Sequence, residues 1–190
     1  MKMVNKRKKL TKISFVICFC MTCILLTSTI VQAAMLYYSG GFSKPSALKY
    51  YATGTTSYAT EAIAQWNGVS SKVKISKASK QSDSNILISC NYAESPSTGV
   101  LGKTSLAKDG KPVSTSSTWD HAVCIQYKSD DLKTANNRIA TATHELGHAL
   151  SLKDNNNTVY VDAPIMSQGV KASYKLTSAD KSALKQKWGN

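Results

Sequence analysis

Residues 144–148 read His-Glu-Leu-Gly-His, and Asp154 stands six positions beyond the second histidine. Positions i and i+4 share one helical face, so His144 and His148 can aim at a single cation. Neutral imidazole nitrogen suits Zn²⁺, and three protein ligands leave a fourth position open to water. Glu145 is the next residue round the helix. It can reach that water without binding the metal, which is where a general base belongs. The chemistry specified is metal-assisted amide hydrolysis with one zinc ion. The cation lowers the pKa of water and polarises a carbonyl, and Glu145 takes a proton and passes it to the leaving amine. With only three histidines and three glutamates in the chain, chance placement at these offsets is about 1 in 1,400.

The third ligand follows in part from elimination. No Glu follows Glu145; the downstream acids are Asp154, Asp162 and Asp180, and the remaining histidine is His121. A carboxylate oxygen is a legitimate zinc ligand. Asp154 is the preferred third ligand, with His121 and Asp162 as alternatives. His121 otherwise reads as a surface or strand-edge histidine. On an unbroken helix Asp154 would lie about 600° beyond His148, facing away from it. Asp154 can return to the site only if the helix ends before it.

The elements that must hold these groups are legible as patterns. Thr134 to Leu152 reads as the strongest helix, with Ile139, Ala142, Leu146, Ala149 and Leu150 on its apolar face. Tyr58 to Trp66 reads as an earlier helix, ended by Asn67-Gly68. Strands are expected at Ala47–Ala52, Val73–Ser76, Asn85–Cys90, Gly99–Ala107 and Ala122–Tyr127, with a hairpin at Asp109-Gly110. Thr177 as N-cap, with Asp180 three positions on, opens a last helix whose stripe is Ala183, Leu184 and Trp188. This order predicts an α+β domain with a three-layer α/β/α-like plan.

Targeting explains part of the composition. Lys2 to Lys9 is basic, Ile13 to Val31 is largely apolar, and Val31-Gln32-Ala33-Ala34 is a small-residue cleavage pattern. Residues 1–34 are expected to be a secretory signal peptide cut near Ala33 or Ala34, with an uncleaved membrane anchor as the rival. The catalytic domain is then 35–190, a secreted, extracellular chain of one-domain length. Its 18 basic and 11 acidic residues leave a charge of +7, against +13 for the whole chain. The scattered lysines read as a solvated surface, with weak association with an anionic cell surface as a secondary expectation. No nucleic-acid-binding motif accompanies them, and a monomer is expected. Cys90 and Cys124 remain after cleavage. They could form one disulfide or stay as two buried thiols.

The order of His144-Glu145-Leu146-Gly147-His148, Asp154, Pro164-Ile165-Met166-Ser167 and the helix from Leu176 to Trp188 resembles the metzincin zinc endopeptidases, and their matrixin-like branch in particular. Gly99-Val100-Leu101-Gly102 is similar to the segment before the matrixin edge strand. The resemblance implies a metzincin-like zincin fold: a twisted mixed sheet with an antiparallel edge strand, an active-site helix and a C-terminal helix. It also implies protein or peptide substrates that pair with that strand above the zinc. Two positions depart from the pattern. Ser151 stands where the family has Gly, and Asp154 where it has a third His; the Asp resembles the snapalysin-like small secreted bacterial metalloproteases. Met166 would then be a floor beneath the histidines, where the bland reading is core. Tyr174 reads as ordinary packing, with a hydrogen bond to an oxyanion as the alternative. A catalytically degenerate zinc-binding surface domain is the rival to an active peptidase, and Ser151 is its best support.

Overall fold

The computed structural model of the chain describes residues 36–155 and 163–190. The expected signal peptide, residues 1–34, and the alternative ligand Asp162 lie outside the described residues. In chain order the elements are β1 (Gly41–Phe42), β2 (Leu48–Gly54), α1 (Thr56–Trp66), β3 (Ile75–Lys77), β4 (Ile86–Glu94), β5 (Gly102–Lys108), β6 (Lys111–Pro112), β7 (Thr118–Trp119), β8 (His121–Lys128), α2 (Ala135–Ala149) and α3 (Ser178–Trp188). Among the described residues no helix is long and apolar enough to cross a membrane.

The main sheet runs β3-β2-β4-β8-β5-β6. Strands β3, β2, β4 and β8 are parallel to one another, while β5 runs antiparallel to β8 and β6 antiparallel to β5. The unit β2-α1-β3 is a parallel crossover. β5 and β6 form the hairpin expected at Asp109-Gly110. Both turn residues have positive φ, 51° and 73°, as a type I′ turn requires. β6 covers only Ala107 and Lys108 of β5. The outer edge from Gly102 to Thr104 carries no strand among the described residues.

Alternation along β4 and β8 decides where the helices go. Ile86, Ile88, Cys90, Ala122 and Cys124 are fully buried, while Leu87, Ser89, Val123 and Ile125 between them are half-buried. The buried set faces α1 and α2. Ala59, Ala62, Ile63 and Trp66 of α1 and Ala142, Leu146 and Ala149 of α2 join it in one core. The Trp66 indole N–H donates to the Thr143 carbonyl at 2.9 Å, which locks α1 to α2. Both sheet-packed helices therefore lie on one face, and the described residues show a mixed α/β arrangement of two layers where three were expected. The reason is visible in the strand pattern: one face is apolar apart from the buried Gln126, the other mixes Ser and Tyr with aliphatics.

α2 starts where the sequence placed it. The Thr134 hydroxyl accepts from the Asn137 N–H, and the Asn137 side chain accepts in return from the Thr134 N–H. This reciprocal cap satisfies two otherwise orphaned donors.

Candidate metal centre

The end of α2 brings Asp154 back. Ser151 has φ of 75°, the left-handed region that favours glycine. Its N–H donates to the His148 carbonyl at 3.0 Å, and the Leu152 N–H donates to the Gly147 carbonyl at 2.9 Å. This is a Schellman ending, with Ser151 at the position usually held by Gly. The helix stops three residues before its predicted end, and the chain doubles back. The next residues are then clamped by backbone bonds. Ser151 accepts from the Tyr38 N–H, Lys153 donates to the Leu36 carbonyl, and Asn155 donates to the Met166 carbonyl. Asp154 sits inside that clamp.

His144, His148 and Asp154 each offer one ligand atom, and these atoms lie within 4.8 Å of one another. Asp154 Oδ1 is 3.3 Å from His144 Nε2 and 3.6 Å from His148 Nε2. Ligand atoms of a tetrahedral zinc at about 2.0–2.1 Å are themselves about 3.3 Å apart. The tautomers fit as well. His144 Nδ1–H donates to the Ile165 carbonyl at 2.8 Å, and His148 Nδ1–H to the Leu152 carbonyl at 2.9 Å. Each neutral ring then turns an Nε2 lone pair inward. Asp154 Oδ1 is buried without a hydrogen-bond partner among the described residues. Two lone pairs and a carboxylate oxygen thus converge on one point, and a cation is what such a donor set would hold.

The local electrostatics act on the three groups in different directions. Burial pushes His144 down, but its close contact with Asp154, the Glu145 charge and the Ile165 carbonyl outweigh burial and raise it. His148 is lowered by burial first, then by the neighbouring His144. Asp154 is held below the usual carboxylate range, first by its close contact with His144 and then, against burial, by the His148 charge. His121 and Asp154 were rivals for the third position, and the two are placed apart. His121 begins β8, where its Nδ1–H donates to the Ser84 carbonyl at 3.2 Å, and it is not a member of the cluster.

Glu145 is buried beside the cluster, and β5 holds it. The Thr104 hydroxyl lies 2.7 Å from Glu145 Oε2 and 2.8 Å from the Glu145 carbonyl. Burial first, and then the Asp154 charge, raise the Glu145 carboxyl, while His144 and the Thr104 hydroxyl pull it down. A Cβ on Gly102 would lie 2.5 Å from Glu145 Oε1, so only Gly at the start of β5 leaves room for the carboxylate. His144, His148, Asp154, Glu145 and the Gly99–Thr104 segment line one groove of about 590 Å³. It opens along the uncovered edge of β5.

Met166 is buried beneath the site, and a Cβ on Gly147 would overlap its sulfur. Gly147 is therefore what allows the Met-containing turn to sit against α2. That turn is fixed by α3. Asp180 accepts from the Ile165 N–H at 3.0 Å and the Met166 N–H at 3.1 Å, and caps its own helix through Thr177. The capping residue seen in the sequence also orients the carbonyl that holds His144.

One groove residue was not legible in sequence. Tyr38 lines the groove, with its ring 6.3 Å from that of His148. Burial first, and then the charges of Asp154 and Glu145, push its phenol up. Its approach depends on a long-range pairing, Tyr37 with Leu152, for which the sequence carries no local signal. Tyr174 is instead packed against the core, with the Lys175 ammonium over its ring at 4.5 Å.

No family model and no curated protein matches the chain. Among solved structures, the crystal structure of myroilysin matches with a TM-score of 0.48 at 10% identity, over 84% of this chain and 88% of that one. The GM1-bound form of the ECX AB5 holotoxin matches with a TM-score of 0.45 at 15% identity, over 74% of this chain and 80% of that one. At this distance only the site's own residues bear on function.

Proposed function

We propose that the protein is a secreted, metzincin-like zinc endopeptidase, released from residues 1–34 and acting as a monomer on extended peptide chains. His144, His148 and Asp154 hold the metal, and Glu145 is the general base. The observation that supports this most directly is the convergence of two unprotonated imidazole nitrogens and an otherwise unpartnered carboxylate oxygen beside a second, buried carboxylate. A purely structural metal site has no use for that second carboxylate. A zinc ion bound there would lower the pKa of water and polarise a carbonyl.

The chain's own residues do the rest. The free edge of β5 pairs with an extended peptide and lays a scissile carbonyl across the site. Glu145, steadied by Thr104 at one oxygen, takes a proton from water and returns it to the amine nitrogen as the C–N bond breaks. The degenerate-domain alternative drew on Ser151, and Ser151 adopts the conformation that the missing glycine would have supplied.

The test is a quenched-peptide assay on the mature chain, with metal content measured in parallel. Glu145→Gln should keep its zinc and lose at least about 10²-fold in turnover. His144→Ala should lose the metal, and a chelator should abolish wild-type turnover until zinc is restored. Undiminished turnover in Glu145→Gln would sink the assignment.

A further inference from the structure

The groove contains several side-chain donors besides the metal cluster, and most are committed. Thr104 is bound to Glu145, the Thr141 hydroxyl donates to the Asn137 carbonyl at 3.0 Å, and the Ser167 hydroxyl donates to the Pro164 carbonyl at 2.8 Å. The Gln168 amide lies 3.4 Å from Asp154 Oδ2, and the Lys171 ammonium donates to the Gln168 and Gly169 carbonyls. The Tyr38 and Thr115 hydroxyls and the Lys103 ammonium have no partner among the described residues, and Lys103 is exposed on β5. Thr115 is exposed on the turn before β7. Tyr38 is half-buried, and its ring stands beside His148.

The main chain of Tyr38 is held at both of its polar groups. Its N–H donates to the Ser151 carbonyl at 2.7 Å, and its own carbonyl accepts from the Lys187 ammonium at 2.8 Å. The Ser151 turn that returns Asp154 therefore also anchors the main chain that carries the phenol. Glu145 lines the same groove, so a proton donor and a proton acceptor share the cavity that contains the His144, His148 and Asp154 cluster.

We propose that the Tyr38 hydroxyl is a catalytic residue: it donates a hydrogen bond to the scissile carbonyl oxygen as negative charge develops there. The water oxygen bonds to the carbonyl carbon while Glu145 takes a proton, and the C=O π pair moves onto the oxygen that Tyr38 faces. When that pair returns, the C–N bond breaks and the nitrogen takes the proton from Glu145. Tyr38 gives up no proton in either step. A preorganised donor of this kind acts on the transition state more than on the bound substrate. This assignment rests on the peptidase reading above.

Tyr38→Phe removes one oxygen and keeps the ring. The expected result is a fall in kcat of about 10²-fold on a quenched peptide, with KM, zinc content and melting temperature near wild type. Affinity for a phosphinic peptide, which mimics the tetrahedral oxyanion, should fall by a similar factor. Wild-type turnover in a zinc-loaded Tyr38→Phe variant overturns the assignment and leaves the peptidase reading standing. A wild-type protein that is inert on peptides removes both. Should Tyr38→Phe melt early or lose zinc, the wild-type crystal structure with the phosphinic peptide decides. Tyr38 Oη within hydrogen-bond distance of a phosphinyl oxygen upholds the assignment, and Oη turned away from it overturns it.

Discussion

Ser151 carries a cost that the fold accepts for the sake of one ligand. A left-handed conformation costs a non-glycine residue roughly 1–2 kcal/mol. Its hydroxyl is also fully buried and has no hydrogen-bond partner among the described residues, a further penalty of about 1 kcal/mol. Both costs stand at the single residue where the chain must turn to present Asp154. Ser151→Gly should remove them, at the loss of some packing against Gly41 and some added freedom in the unfolded chain. The expected net gain is about 1 kcal/mol, or about 2–4 °C in melting temperature. Ser151→Ala relieves only the hydroxyl and should gain less. Thermal melts of the two variants check the ranking; a Gly variant less stable than the Ala variant would show that the strain account is wrong. At this scale much was legible. The histidines and the carboxylate at 145 follow from helical spacing alone. The return of Asp154 required knowing that Ser can occupy a glycine conformation, which spacing does not reveal.

Elements position the site by doing two jobs at once. α3 is a short helix whose first-turn Asp180 satisfies its own N-terminus and also holds the Met-containing turn by two backbone N–H groups. The cap was readable from Thr177 and Asp180, because capping is local. The second job was not, because it joins residues 14 and 15 positions apart through tertiary contact. Asp180→Ala should therefore cost more than a lost cap. Cap removal alone costs about 1 kcal/mol, and two buried N–H groups lose an ionised acceptor, each such bond being worth about 1.5–3 kcal/mol. A total of about 4–7 kcal/mol is expected from denaturant unfolding. Zinc affinity should also fall about 10-fold or more, because the Ile165 carbonyl that orients His144 is no longer fixed. A variant that loses about 1 kcal/mol and binds zinc normally would confine Asp180 to capping.

Across the whole molecule, strand positions were legible, but sheet order and layering were not. Alternation and Asp-Gly mark where strands and hairpins lie, but which strands become neighbours depends on long-range closure. The same limit kept the cysteine question open until register was known. Cys90 pairs with Gln126, and Cys124 with Ile88, on adjacent parallel strands. The two cysteines share a face but are offset by two positions. Strand spacing of about 4.8 Å and a two-residue rise of about 6.6 Å put their Cα atoms roughly 8 Å apart, beyond the span of about 6.8 Å that a disulfide tolerates. Both are accordingly free and buried. Burial pushes the Cys90 thiol up to about 12 and raises Cys124 as well. The reactive thiolate is then scarce at neutral pH, and the covering α2 and the sheet block access. The mature chain should show no reaction with a thiol reagent in its native state and two reactive thiols after unfolding in denaturant. Its melting temperature should be unchanged by a reductant. Rapid native labelling, or a mass two hydrogens short of the dithiol, would mean that the β4–β8 register differs from the one described. The metal cluster would then need re-examination too, since Cys124 lies under Glu145 on the same strand that β5 pairs with.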